Sequence, residues 1–144
     1  SNIPPKVRIF GWRIATNTLA TKMNKFRRTL ELDAICNRCG CKEEDEFHVV
    51  VECTKSRALR EALRENWDLP AENAFRRTGP DWLQMLLCPE TKEKRARILM
   101  MFWRSWHLRD DIVYGNGKEP IKKSVIFPLQ YEEEMEKALL APIG

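Results

Sequence analysis

Apolar residues recur along this chain at helical spacing, with polar breaks between the segments. Pro4-Pro5 suits a helix start, because proline is tolerated in a first turn, and Val7, Phe10 and Ile14 then mark one face, with Ile9 and Trp12 beside it. Asn17-Thr18 weakens that helix, and Thr21 can cap a second one, with Met23, Phe26 and Leu30 inward and Lys25, Arg27 and Arg28 outward. Asp45 can cap a helix through Phe47, His48, Val50 and Val51, although the β-branched run Val49-Val50-Val51 also suits a short strand. From Thr54, the spacing of Leu59, Leu63 and Trp67 predicts an amphipathic helix that Pro70 ends. Residues 71–80 read as a loop, and a short helix from Asp81 carries Trp82, Met85 and Leu86. Thr91 then caps the longest periodic segment, where Ala96, Leu99, Met100, Trp103, Trp106 and Val113 form an apolar stripe that Gly115-Asn116-Gly117 stops. Beyond it, Pro128 separates residues 121–127 from a helical pattern over 131–140. The fold class is all-α, a small domain of five to seven helices. The expected division is a domain over 1–117 and a tail over 118–144.

Four positions add chemistry to this pattern. Cys36, Cys39, His48 and Cys53 read C-x2-C-x8-H-x4-C, which is a zinc-type ligand set in which Cys-x-x-Cys puts two thiolates on one ion. The spacing differs from that of a DNA-reading finger, so it predicts one structural zinc ion without implying groove recognition. A buried lone cysteine would be ordinary packing, but three cysteines and a histidine this close together are not. Cys41 offers an alternative thiolate, yet the chain would have to reverse within one residue of Cys39, so Cys39 is the expected ligand. Cys88 has no partner pattern and is expected to pack.

Composition narrows the setting. At 144 residues and 43% hydrophobic the chain can bury one core. A mean hydropathy of −0.50 and the lack of a long apolar run argue against a membrane span. The start, Ser1-Asn2-Ile3, has neither a methionine nor a signal peptide, as expected of a segment of a longer protein. Five cysteines grouped for a metal suit a reducing, intracellular compartment, nuclear or cytoplasmic. The formal charge is +4, unevenly spread. Lys6, Arg8, Arg13, Lys22, Lys25, Arg27 and Arg28 crowd the first 35 residues against Glu31 and Asp33, while Glu43, Glu44, Asp45, Glu46 and Glu52 surround the metal motif. The basic set is the candidate nucleic-acid face, with Lys92, Lys94, Arg95 and Arg97 as a second cluster. Solvated helix faces are the plainer reading.

The metal motif, the entry Pro4-Pro5-Lys6-Val7 with Phe10, Trp12 and Arg13, and the spacing of Trp103, Trp106 and Arg109 together resemble one family, the zinc-binding domain of plant non-LTR (LINE-type) retrotransposon reverse transcriptases. Ile3-Pro4-Pro5-Lys6-Val7-Arg8-Ile9-Phe10-Gly11-Trp12-Arg13 is similar to its Pro-Pro-Lys-Val-x-x-Phe-x-Trp-Arg entry. Leu19-Ala20-Thr21-Lys22 resembles its Leu-Pro-Thr-Lys step, with alanine for proline. Glu46-Phe47-His48-Val49 precedes the last cysteine as in the family, and Trp103-Arg104-Ser105-Trp106-His107-Leu108-Arg109-Asp110 resembles its Trp-x-x-Trp-x-x-Arg-Asn helix. The resemblance implies a non-catalytic accessory module, next to polymerase or ribonuclease H domains, that helps hold RNA or DNA.

An enzyme is not expected, since four protein ligands would fill the metal shell and His107 has no nucleophile or carboxylate pattern beside it. Nucleic-acid binding would be to RNA or single-stranded DNA, non-specific and salt-sensitive, with the tryptophans at core spacing rather than placed for stacking. The alternative is a protein-interaction module, a transposon-derived domain captured in another protein, for example as an integrated bait in an immune receptor.

Overall fold

The computed structural model describes residues 3–114, which are helical throughout their regular structure. Helix α1 spans Pro5–Ala15, α2 Lys22–Arg27, α3 Thr54–Arg64, α4 Trp82–Leu87 and α5 Lys92–Tyr114. A π-helical turn, His48–Glu52, precedes α3, and a 3-10 turn, Glu72–Ala74, lies in the loop after it. No strand occurs among the described residues; one antiparallel bridge pairs Ile35 with Glu43. The glycine stop at 115–117, the tail over 118–144 with its helical pattern, and the side chain of Val113 lie outside the described residues.

The long helix α5 is the axis of the core. Ile98, Met100, Met101, Phe102, Trp103 and Leu108 are all buried, and they point to several sides of the helix. The broad stripe expected from spacing is only part of this surface: Met100 and Trp103 are buried, Leu99 and Trp106 are half-buried against the core, and Ile98, Met101, Phe102 and Leu108 add further buried positions. The reason is that α5 has neighbours on several sides, with α1, α3 and the π turn all packed on it. Trp82 packs edge-on against Phe47, with ring centroids 5.0 Å apart. Phe102 meets Trp82 and Phe75 at 6.0 and 6.3 Å.

Helix α1 opens with Pro5 in its first turn and buries Val7, Phe10, Gly11 and Ile14. Gly11 allows its close approach to α5, because an added Cβ would sit 3.2 Å from Leu99 Cδ2. Ile9 and Trp12 face outward, 54% and 63% exposed. Helix α3 turns Ser56, Leu59, Arg60 and Leu63 inward and ends at Arg64. Trp67 lies past that end yet is buried, with its amide bonded to Leu63 O at 2.8 Å.

Helix α2 departs most from the amphipathic expectation. It buries none of its residues, and Phe26 and Leu30 are exposed. Polar contacts hold it instead. Thr21 accepts from the Asn24 amide at 3.1 Å, and Asn24 Nδ2 donates to Leu19 O and Glu46 Oε2, each at 2.8 Å. The Lys22 amide donates to Glu44 Oε1 at 2.8 Å and the Met23 amide to Glu44 O at 2.9 Å. Cys88, expected in packing, is exposed, as is Met85 on α4.

Glu44 is therefore no solvated loop acid. It is 1% exposed and takes a forked contact from Arg109 of α5, with Nη2 2.7 Å from Oε1 and Nε 3.2 Å from both oxygens. Arg109 also lies over the Trp106 ring at 4.6 Å and reaches Asp110 at 3.0 Å. One buried ion pair thus joins the end of α5 to the start of α2 and the loop before the π turn. Removing one partner of such a pair strands a buried charge, at a cost of about 3–5 kcal/mol. Arg109→Met should lose about that much stability in chemical denaturation. Adding Glu44→Gln, which neutralises the stranded charge and keeps an acceptor for the Lys22 amide, should recover a clear part of it. Equal stability of single and double variants would show that the pair does not act as described.

Candidate metal centre

The metal motif folds as two halves. The first is a knuckle, Cys36-Asn37-Arg38-Cys39-Gly40-Cys41. Its ends are clamped by the Cys36 amide donating to Lys42 O at 2.8 Å, and by the Gly40 amide donating to Cys36 O at 2.9 Å. Gly40 has φ +67, a left-handed conformation that glycine adopts without strain. This reversal turns the amides of Cys41 and Lys42 toward the Cys39 sulfur. Burial alone would raise the Cys39 pKa, but these amides outweigh it and hold the thiol below its ordinary value.

The second half is the π turn. In an α-helix, residues five apart sit about 140° round the axis from each other. Here the wider turn bonds the Cys53 amide to His48 O at 2.8 Å, which stacks position 53 over position 48. The H-x4-C spacing thereby puts both side chains on one side. Asp45 starts the turn by accepting from the His48 amide at 2.8 Å. Val49, Val50 and Val51, a run that suited helix or strand in the sequence, are all buried in the core. Side chains meet two of the three carbonyls, with Arg38 and Ser56 donating to Val49 O and Arg60 to Val51 O.

Together the halves bring Cys36, Cys39, His48 and Cys53 into one cluster whose ligand atoms all lie within 4.8 Å of one another, a group that could hold a metal ion. Cys39 Sγ is 3.3 Å from His48 Nε2, near the roughly 3.5 Å edge of a tetrahedron built from zinc–sulfur and zinc–nitrogen bonds. Nε2 thus faces the cluster, and Nδ1 donates to Glu52 Oε1 at 2.9 Å, a carboxylate that fixes the ring as metal-binding histidines require. Three thiolates and an imidazole suit zinc. Cys41 stays outside, exposed, with its Sγ 3.1 Å from Cys39 O.

The clustered side chains also shift one another's titration. The contact between Cys36 and Cys53 pushes Cys36 up and, despite burial, holds Cys53 down to about 6, with the Arg38 charge helping. Burial disfavours the His48 cation, but hydrogen bonds to Cys36 and Glu52 outweigh it and push His48 up to about 9. An ion must displace these protons, so acid and metal compete for the site.

The basic residues are not gathered in the same way. Lys6 lies over the Trp103 ring at 4.8 Å. Lys22 is tied down by Asp33 and Asn37, each at 3.1 Å, and Lys25 is half-buried. Arg8 and Arg13 are exposed on α1, and Arg27 and Arg28 at the end of α2. In the second cluster, Lys94 pairs with Asp68 at 3.2 Å, Arg95 donates to Leu87 O and Cys88 O, and Arg97 lies over Trp67. Sequence reasoning missed Glu52, Glu44 and Arg38. Glu52 alone left a readable signal, four residues after His48 on a helical segment.

Cys41→Ser should leave metal content unchanged in elemental analysis, and Cys39→Ser should lower it sharply. An equal drop in the two variants would contradict this ligand set.

Residues 1–59 match the family described as zinc-binding in reverse transcriptase. No curated protein and no solved structure shows significant similarity to the chain. The match contains all four residues of the cluster, and the family is an accessory zinc-binding domain rather than a catalytic part. Residues 1–59 of this chain are thus similar to the zinc-binding domain found in reverse transcriptases.

Proposed function

We propose that this chain is a zinc-stabilised, non-catalytic module that holds single-stranded RNA or DNA against the outer face of α1. The observation that carries this reading is Trp12, 63% exposed beside Ile9 at 54%. Arg8 and Trp12, and Ile9 and Arg13, are spaced four apart and exposed, so they are neighbours on the helix surface. An exposed indole between two arginines combines a stacking surface with phosphate contacts, which is what sequence-indifferent single-strand binding needs. The element of origin is a plant non-LTR retrotransposon, a reading that rests on the entry and tryptophan-helix motifs. The reduced cysteines fit a nuclear or cytoplasmic setting, and no described helix is long and apolar enough to cross a membrane.

The ion is zinc, one per chain, held by Cys36, Cys39, His48 and Cys53. Four protein ligands leave no open position for an activated water, which supports a structural role. A second reading, docking of a polymerase, a ribonuclease H domain or another protein, has its own observation. Phe26, Leu30, Leu32 and Ile35 are exposed around the loop between α2 and the knuckle, Leu32 at 98%.

Protein purified without added metal should contain near-stoichiometric zinc, and folded protein that carries iron or no metal would sink the zinc assignment. Gel-shift titrations against single-stranded RNA and DNA at two salt levels test the binding face. Trp12→Ala should weaken binding by about 1–3 kcal/mol with the salt slope unchanged. Arg8→Gln with Arg13→Gln should flatten the log–log slope by about 0.7 for each phosphate no longer neutralised. A parent protein that binds neither strand at low salt would overturn this reading and favour protein docking.

A further inference from the structure

Arg38 lies between two cluster cysteines in the chain, yet its side chain turns inward. Its Nη2 donates to Val49 O at 2.7 Å and lies 3.4 Å from Ser56 Oγ, on the π turn and α3 that carry the other half of the site. Its Nε and Nη1 are buried and have no hydrogen-bond partner. Charged donors left buried in this way are costly unless an opposite charge stands nearby. The cluster offers such a charge: Cys39 is the next residue in the chain, and the guanidinium is anchored on the carbonyl of Val49, the residue after His48. Three thiolates around a dication leave a net negative centre. A guanidinium suits the task because its planar fork can hold Val49 O with one nitrogen while directing the others elsewhere.

We propose that Arg38 is a positioning residue of the metal centre, clamping the knuckle to the π turn and balancing the negative charge of the metal-bound thiolates. The inference rests on the zinc reading of the cluster. It implies that Arg38 both tightens metal binding and lowers the reactivity of the thiolates toward electrophiles.

The test uses the full chain in its cobalt-substituted and zinc forms, with Arg38→Gln and Arg38→Lys. Arg38→Gln should weaken zinc binding by about 10–100-fold in chelator competition, the usual effect of removing a partner of this kind. The thiolate-to-cobalt charge-transfer band should move to lower energy, because the sulfur electrons lose a stabilising positive charge. Alkylation of the zinc form by N-ethylmaleimide should quicken. Arg38→Lys, which keeps the charge without the fork, should fall between parent and Arg38→Gln in all three readouts, and it remains informative if the glutamine variant does not fold. A band that stays put in both variants, or zinc affinity in Arg38→Gln within twofold of the parent, would overturn the charge-balancing role. A parent that gives no tetrahedral cobalt spectrum would instead overturn the metal reading beneath it.

Discussion

The π turn His48–Glu52 is the constraint on which the rest of the structure depends. One side carries His48 and, directly above it, Cys53, while Val49, Val50 and Val51 fill the core. A regular α-helix would swing the two ligands apart, and a strand would not bury three consecutive valines on one surface. The irregular backbone is sustained because Arg38, Ser56 and Arg60 supply donors to Val49 O and Val51 O. Arg60 is in turn locked by Glu72, whose carboxyl Arg60 and Arg64 hold down at about 2. Half of the metal site is thus built by packing and hydrogen bonds before any ion arrives. The knuckle, apart from Cys36, has little burial of its own, so a bound ion would add to the hydrogen bonds that position it.

The match over residues 1–59 ends inside α3, but the fold does not. Helix α5 supplies much of the core that α1 and the π turn pack against, and Arg109 reaches back to Glu44 beside the knuckle. This gives the Trp-x-x-Trp-x-x-Arg pattern a structural sense. Trp103 and Trp106 lie along α1, one under Lys6 and the other 6.5 Å from Phe10, and the arginine closes the far end. The acidic character of the metal motif is correspondingly misleading. Glu44 and Glu46 are buried partners of cations and amides, and the surface there is less acidic than the composition suggests.

Much of this was legible in the sequence wherever a local rule governed it. The starts at Pro5, Thr21, Asp45 and Thr91 and the inward faces of α1 and α3 follow from capping and spacing, which need no knowledge of distant residues. The clustering of Cys36, Cys39, His48 and Cys53 was also readable from spacing alone. What spacing could not show was set by contacts far apart in the chain. Phe26 and Leu30 follow helical periodicity but are exposed, because α2 is held by Glu44, Glu46 and Asn24 rather than by an apolar face. Trp12 carries the same residue type as Trp103, and only the side of α1 that meets α5 separates a surface tryptophan from a core one. The burial of Met101 and Phe102 likewise reflects neighbours on several sides of α5, which no stripe along one helix can reveal.

The central claim is that core packing preforms the half-site of His48 and Cys53, and that the ion pins the knuckle onto it. Amide hydrogen exchange on the full chain, before and after removal of metal by a strong chelator, tests this most directly. Protection should be lost first across residues 36–43, while amides of residues 48–59 and of α5 around Ile98 to Trp103 stay protected. Simultaneous, uniform loss of protection across all of these segments would contradict the account and show that the ion holds up the whole domain.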